Sequence, residues 1–122
     1  LATLEPPPSP FRGADGGLSP AAERGRLLFA SERAGCTACH AGADFTSGEN
    51  HDVGLGRRGD RYEGFSPPTL RGLFRKTMYL HSGRSKSLTD LLTGVHGPAA
   101  VSGLPPLSAR EAEDLAEYLR SL

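Results

Sequence analysis

Five residues, Cys36-Thr37-Ala38-Cys39-His40, constrain this chain more than any other feature of it. Two thiols three positions apart, followed at once by an imidazole, let one tight turn present both sulfurs to one edge of a flat macrocycle while the next side chain turns beneath its metal. The pattern reads as a site of covalent haem c attachment, with Cys36 and Cys39 as the thioether donors and His40 as the proximal iron ligand. Three other readings use the same residues. A thioredoxin-like redox pair needs the cysteines between a strand and a helix, whereas the residues before Cys36 pattern as a helix. A structural zinc site needs four ligands at paired spacing. Beyond the pentapeptide there is no cysteine, and His51, His81 and His96 form no H-x3–5-H pair. A disulfide between such close cysteines would close a minimal loop and stabilise little.

Composition makes a packed centre of this kind necessary. Only 37% of the 122 residues are hydrophobic and 7% aromatic, there is no Trp, and 16 Gly and 10 Pro break the chain into loops. One domain of this length with so thin an apolar supply buries a modest core by itself, and a large apolar disc gives short helices something to pack on. The 14 basic and 14 acidic residues cancel, so bulk charge suggests neither nucleic acid nor an anionic membrane surface as partner. No run of 18 apolar residues is present to span a bilayer. The chain starts at Leu1 and shows no signal-peptide pattern, the expectation being a processed product or an excised domain.

Residues 1–17, centred on Glu5-Pro6-Pro7-Pro8-Ser9-Pro10, are too rich in Pro and Gly for a helix or a central strand. They read as an extended surface arm or as a semi-rigid linker to an upstream domain, and residues 18–122 as the haem domain. Ser19-Pro20 opens a helix, with serine as N-cap and proline at the first helical position, which runs through Phe29 and has ended by Gly35. Gly25 inside it costs about 1 kcal/mol relative to alanine and lies on one face with Phe29. At the other end, Ser108-Ala109-Arg110-Glu111 is a capping box, and Ala112, Leu115, Tyr118, Leu119 and Leu122 recur at helical spacing. The two terminal helices are expected to cross, with Gly25 and Phe29 meeting Leu115 and Tyr118. Between them, Ala41 to Phe65 has six glycines and no periodicity and reads as a loop wrapping the haem edge. Thr69 to Phe74 can make a short helix, Ser87-Leu88-Thr89-Asp90 opens another that stops at Gly94, and Val95 to Leu107 reads as loop.

These residues carry a family resemblance. Gly25 to Phe29, the Cys36 to His40 run and the Leu115-Ala116-Glu117-Tyr118-Leu119 ending resemble the framework of small c-type cytochromes. That resemblance implies an all-α fold, with crossing N- and C-terminal helices around one covalently bound haem and long loops. Phe65-Ser66-Pro67-Pro68-Thr69-Leu70-Arg71-Gly72, then Tyr79-Leu80-His81-Ser82-Gly83-Arg84 and Ser87-Leu88, resemble the "TPTLRN…PYxHDGR…TL" pattern of the C-terminal haem domain in bacterial dihaem cytochrome c peroxidases and their MauG-like relatives. The resemblance covers roughly Leu18 to Leu122. It implies maturation outside the cytoplasmic membrane, hence a periplasmic or otherwise extracytoplasmic place, and redox proteins as partners. It also suggests Arg71 as the partner of a haem propionate. The chain departs from the pattern by having one Cys-x-x-Cys-His instead of two, Met78 for the proline before the tyrosine, and Ser82 for the aspartate after the histidine.

The sixth iron ligand decides the chemistry, because two strong ligands suit electron transfer whereas an open position admits small molecules. His96 lies in the loop between the last two helices, where the distal ligand of such cytochromes usually arises, with Gly94 and Gly97-Pro98 giving the backbone room to turn. Met78 is the alternative, the remaining choice being an open site. His81 and His51 read as local hydrogen-bonding or solvent-exposed residues, and Arg57, Arg58 and Arg61 as a basic cluster that could steer an acidic redox partner. The expectation is a single-electron carrier, a redox module or tethered domain of an extracytoplasmic chain rather than a stand-alone enzyme. A peroxidase-like or ligand-binding haem domain with an open distal site is the alternative.

Overall fold

The computed structural model describes residues 7–47, 49, 68–76, 79 and 87–122. Its regular elements are helical: α1 (Pro20–Ala30), α2 (Leu88–Thr93), α3 (Pro98–Ser102) and α4 (Ala109–Arg120), with single 3-10 turns at Cys36–Ala38 and Leu73–Arg75. The all-α architecture with crossing terminal helices therefore stands.

Local chemistry sets the helix starts where the sequence places them. The Ser19 side chain accepts from the Ala22 amide with Pro20 in the first turn, Ser87 accepts from Asp90, and Ser108 and Glu111 close a reciprocal capping box. Each cap satisfies amide groups that the helix itself leaves without partners. The stretch 95–107 departs from its reading as loop by holding α3. Pro98 opens it with a pre-set φ, two alanines extend it, and Gly103 in the left-handed region ends it. The 69–74 helix is reduced to the turn at Leu73–Arg75.

α1 and α4 cross in close contact. A Cβ on Gly25 would fall 2.0 Å from the Asp114 carbonyl oxygen and 2.8 Å from the Tyr118 Cβ, so glycine is what allows the two backbones to meet. Beside that point the Phe29 and Tyr118 rings pack at 5.5 Å between centroids, and outside it Arg24 forks onto both Asp114 carboxylate oxygens at 2.9 and 3.0 Å. The expected meeting of Gly25 and Phe29 with Tyr118 is found. Leu115 and Ala116, with no exposed surface, sit at the centre of a core shared by Phe29, Leu73, Leu88, Leu91, Leu92 and Leu107.

Two arginines tie irregular segments to this frame. Arg33 donates to the carbonyls of Pro105 (2.7 Å) and Pro106 (2.8 Å) and to Glu111 (3.1 Å), pinning the approach to Cys36 against the start of α4. The proline-rich arm is docked from Ser9 onward. The Ser9 hydroxyl donates to the Arg120 carbonyl and Arg12 Nε to the Ser121 carbonyl at 2.8 Å. These are the carbonyls an α-helix leaves unpaired at its end, so this part of the arm works as an external cap on α4.

Candidate functional site

The Cys36–His40 run leaves α1 through Ser31, whose amide and hydroxyl both return to the Leu28 carbonyl. Gly35 in the left-handed region (φ 70°) then reverses the chain. The Cys39 and His40 amides both point back to the Cys36 carbonyl, at 3.3 and 2.9 Å. One turn therefore carries both sulfurs and the imidazole, as the spacing requires. Both cysteines are unpaired thiols and half-buried, Cys36 against the hydrophobic core. Burial pushes the Cys36 thiol up to about 11 and raises that of Cys39 as well. A reactive redox pair has its attacking thiol lowered and sits at a helix N-terminus; these thiols are raised, and they open and close a single 3-10 turn. The zinc reading finds no cluster of three or more candidate ligands among the described residues.

His40 is oriented from behind. Its Nδ1 lies 2.8 Å from the Phe45 carbonyl oxygen, so the protonated Nδ1 donates there, which makes Nε2 the basic nitrogen of the ring, the form suited to a metal. The loop supplying that carbonyl is folded tightly: Thr46 N bonds Ala41 O at 3.0 Å and Ser47 N bonds Cys39 O at 2.8 Å. Phe45 itself is at φ 55°, the one non-glycine residue with positive φ among those described. For a bulky L-residue this costs roughly 1–2 kcal/mol. Edge-on packing of its ring against Phe29, 5.7 Å between centroids, offsets about 0.5–1.5 kcal/mol of that.

Across from His40 stands His96. The two ring centroids are 6.4 Å apart and the planes lie at 76°. His96 leaves α2 with its amide on the Leu91 carbonyl. The glycine after it is required by close approach, since a Cβ on Gly97 would meet the Leu92 carbonyl oxygen at 2.4 Å. The His96 Nδ1 is buried without a hydrogen-bond partner, and burial, then repulsion from His40, lowers its pKa. Both causes favour the neutral ring, the form that ligates a metal. Two imidazoles binding one ion from opposite sides at about 2 Å per bond place their centres a little over 6 Å apart, so the separation of His40 and His96 fits an iron between them.

Arg71 donates from Nε to the Ala43 carbonyl at 2.8 Å and lies 3.6 Å from the Asp44 carboxylate. It therefore grips the loop that carries Phe45. Met78, the alternative distal ligand, lies outside the described residues, as do His51, His81, Arg57, Arg58 and Arg61. Sequence reasoning missed Phe45 and Ala43, because both act through backbone carbonyls and any side chain leaves the same atom; nor did it anticipate the Arg12 and Arg33 clamps.

An all-helical frame around a Cys-x-x-Cys-His turn defines a class, that of small proteins carrying covalent haem c. The model of the cytochrome c family matches residues 22–122, and the chain belongs to that family. It is 29% identical to hydrazine synthase subunit gamma of Kuenenia stuttgartiensis, over all of this chain and 46% of that protein. It is 32% identical to the methylamine utilization protein MauG of Methylorubrum extorquens, over 90% of this chain and 36% of that one. Both relatives are bacterial, and the chain spans less than half the length of either. Among solved structures, a chain of K. stuttgartiensis hydrazine synthase pressurized with xenon superimposes with a TM-score of 0.77 at 29% identity, covering 98% of this chain and 52% of that one. Family membership implies covalent haem and haem-based electron transfer. No helix of the described residues is long and apolar enough to cross a membrane.

Proposed function

We propose that this chain is a monohaem, single-electron-transfer module whose iron is held between His40 and His96, with Cys36 and Cys39 as the thioether donors. The observation that carries this reading is the 6.4 Å separation of the two imidazoles, one tied at Nδ1 by a backbone carbonyl and the other half-buried with its Nδ1 unpartnered. Bound there, haem supplies a one-electron ferric/ferrous couple that the protein tunes through axial ligation and burial. The residues do the rest. The Cys36–Ala38 turn fixes where the sulfurs sit, the Phe45 carbonyl holds the His40 tautomer, and the packed loop at Gly94–Pro98 keeps His96 in place. With two nitrogen donors the couple lies below that of a His/Met cytochrome, because methionine ligation raises the potential.

The place of action we assign is periplasmic or otherwise extracytoplasmic, with redox proteins as partners and further domains of a longer polypeptide as neighbours. The greater length of both relatives supports the last point. The test is His96→Ala. The ferric protein should be low-spin before the substitution, without the near-infrared signature of methionine ligation, and high-spin after it. An unchanged low-spin spectrum in the variant would falsify His96 as the ligand. A high-spin spectrum in the unsubstituted protein would turn the reading toward a ligand-binding haem with an open distal side.

A further inference from the structure

The strained residue behind His40 lies two positions after a carbonyl that Arg71 grips from outside the loop. A left-handed Phe45 persists only where its surroundings over-determine it. Within the loop two backbone bonds close around it, Phe45 N to Gly42 O at 3.2 Å and Thr46 N to Ala41 O at 3.0 Å. Its ring leans on Phe29. Besides that ring contact, the Arg71 guanidinium reaches in from outside the loop to the Ala43 carbonyl, two residues before Phe45. Arg71 has a firm base for this. The next residue, Gly72, is left-handed at φ 75° and donates its amide to the Leu122 carbonyl at 3.1 Å, and Leu73 after it is buried in the core. The backbone beside Arg71 is thus anchored to the residue Leu122 just beyond α4, while its guanidinium grips the His40 loop. Its ion pair with Asp44 is solvated, with 42% and 78% of the two side chains exposed, and such pairs contribute little. The charge-assisted bond to a fixed carbonyl is the contact with directional content.

We propose that Arg71 is a positioning residue for the proximal ligand. By latching the Ala41–Ser47 loop it keeps the Phe45 carbonyl on His40 Nδ1 and so sets how strongly that imidazole donates to the iron. This rests on the assignment of His40 as the axial ligand, and it differs from pairing with a haem propionate, in which Arg71 acts only through its charge. Outer-shell hydrogen bonds of this kind raise a histidine ligand's basicity. A stronger donor favours the ferric state, so a loosened latch must raise the midpoint potential. Loss of a positive charge beside the haem must lower it.

Arg71→Lys separates the two, since it keeps the charge and removes the planar Nε donor. In the haem-loaded protein we expect the ferric-to-ferrous balance to shift about threefold toward ferrous, roughly 30 mV upward at 59 mV per tenfold for one electron. We also expect the His40 Nδ1 proton, followed by NMR, to exchange with solvent about tenfold faster as the loop opens more often. Asp44→Asn, which spares the carbonyl bond, should leave that exchange unchanged, since the charge it removes acts on the potential alone. An Arg71→Lys protein with wild-type potential and exchange overturns the latch while leaving the electron-transfer reading intact, as does an Asp44→Asn protein whose His40 exchange quickens as far as that of Arg71→Lys. A His96→Ala protein that keeps its low-spin spectrum removes the distal assignment, and the exchange comparison at His40 still decides the latch.

Discussion

Replacing Gly25 by alanine sets two effects against each other, and their magnitudes predict which one wins. Alanine is the better helix former, and in an exposed helix the change would stabilise by about 1 kcal/mol. At this site the new Cβ would stand 2.0 Å from the Asp114 carbonyl oxygen and 2.7 Å from its carbon. Ordinary contact begins near 3.5 Å, so the methyl is about 1.5 Å too close to atoms that cannot rotate away. The relief available is separation of α1 from α4, and a gap of 0.5–1 Å already forfeits about a quarter to a half of each dispersion contact across the interface. The residues that would feel it include Phe29 and Tyr118, both nearly buried. Overpacking of this kind costs about 1–3 kcal/mol; taking its upper end because backbone stands on both sides, the net loss after the helix gain is about 2 kcal/mol. For a domain of this length about 4 °C per kcal/mol is expected, hence a melting temperature about 8 °C lower. Thermal unfolding of the haem-loaded protein, followed by far-ultraviolet circular dichroism, reads this directly. A variant that melts at or above the wild-type temperature would show that the crossing can open at no cost and that the argument from close approach is wrong.

Two further outcomes follow from the clamps. Arg12→Ala should lower stability in urea by about 1–2 kcal/mol, through loss of charge-assisted bonds to the Ser121 and Gly16 carbonyls; a neutral result would return residues 9–17 to the role of a passive linker. In acid, the fork from Arg24 holds the Asp114 carboxyl below its ordinary 3.8, and the Ser108 amide, with help from Arg33, holds Glu111 below its ordinary 4.5. The unfolded chain then binds more protons in this window, so the contribution of both groups is complete above the ordinary values and is lost as pH falls through the folded ones. Asp114→Asn should accordingly destabilise the protein at neutral pH, by a gap that narrows as pH falls below the ordinary carboxyl value; a gap that stays constant down the acid range would rule out the linkage.

Much of this protein was legible without its structure wherever the determining chemistry is local. Ser19, Ser87 and Ser108 cap helices because a hydroxyl reaches an amide two or three residues on, a contact that depends on almost nothing else. The cysteine–histidine run is of the same kind, since its spacing is set by the chemistry of one turn. The paired terminal helices were legible from periodicity, and the odd glycine within the first pointed to a close crossing. α3 was not, because a five-residue helix shows too little periodicity to stand out from a loop with proline and glycine at its ends.

The tertiary structure decided what depends on residues distant in sequence. That His96 comes within 6.4 Å of His40 follows from α2 packing on α4, and from the Leu92 carbonyl crowding Gly97. Neither is visible in the order of residues. Arg71 reads in the sequence as a charge for a propionate, and its bond to the Ala43 carbonyl is a contact that only the fold shows. A guanidinium can reach many acceptors, and only packing selects one. Phe45 is the clearest instance, an unremarked aromatic in a glycine-rich loop whose side chain and backbone conformation serve to deliver one carbonyl oxygen to an imidazole. Every residue carries such an oxygen, so sequence alone marks out the Cys-x-x-Cys-His run, while the fold determines which backbone atom lies against its imidazole.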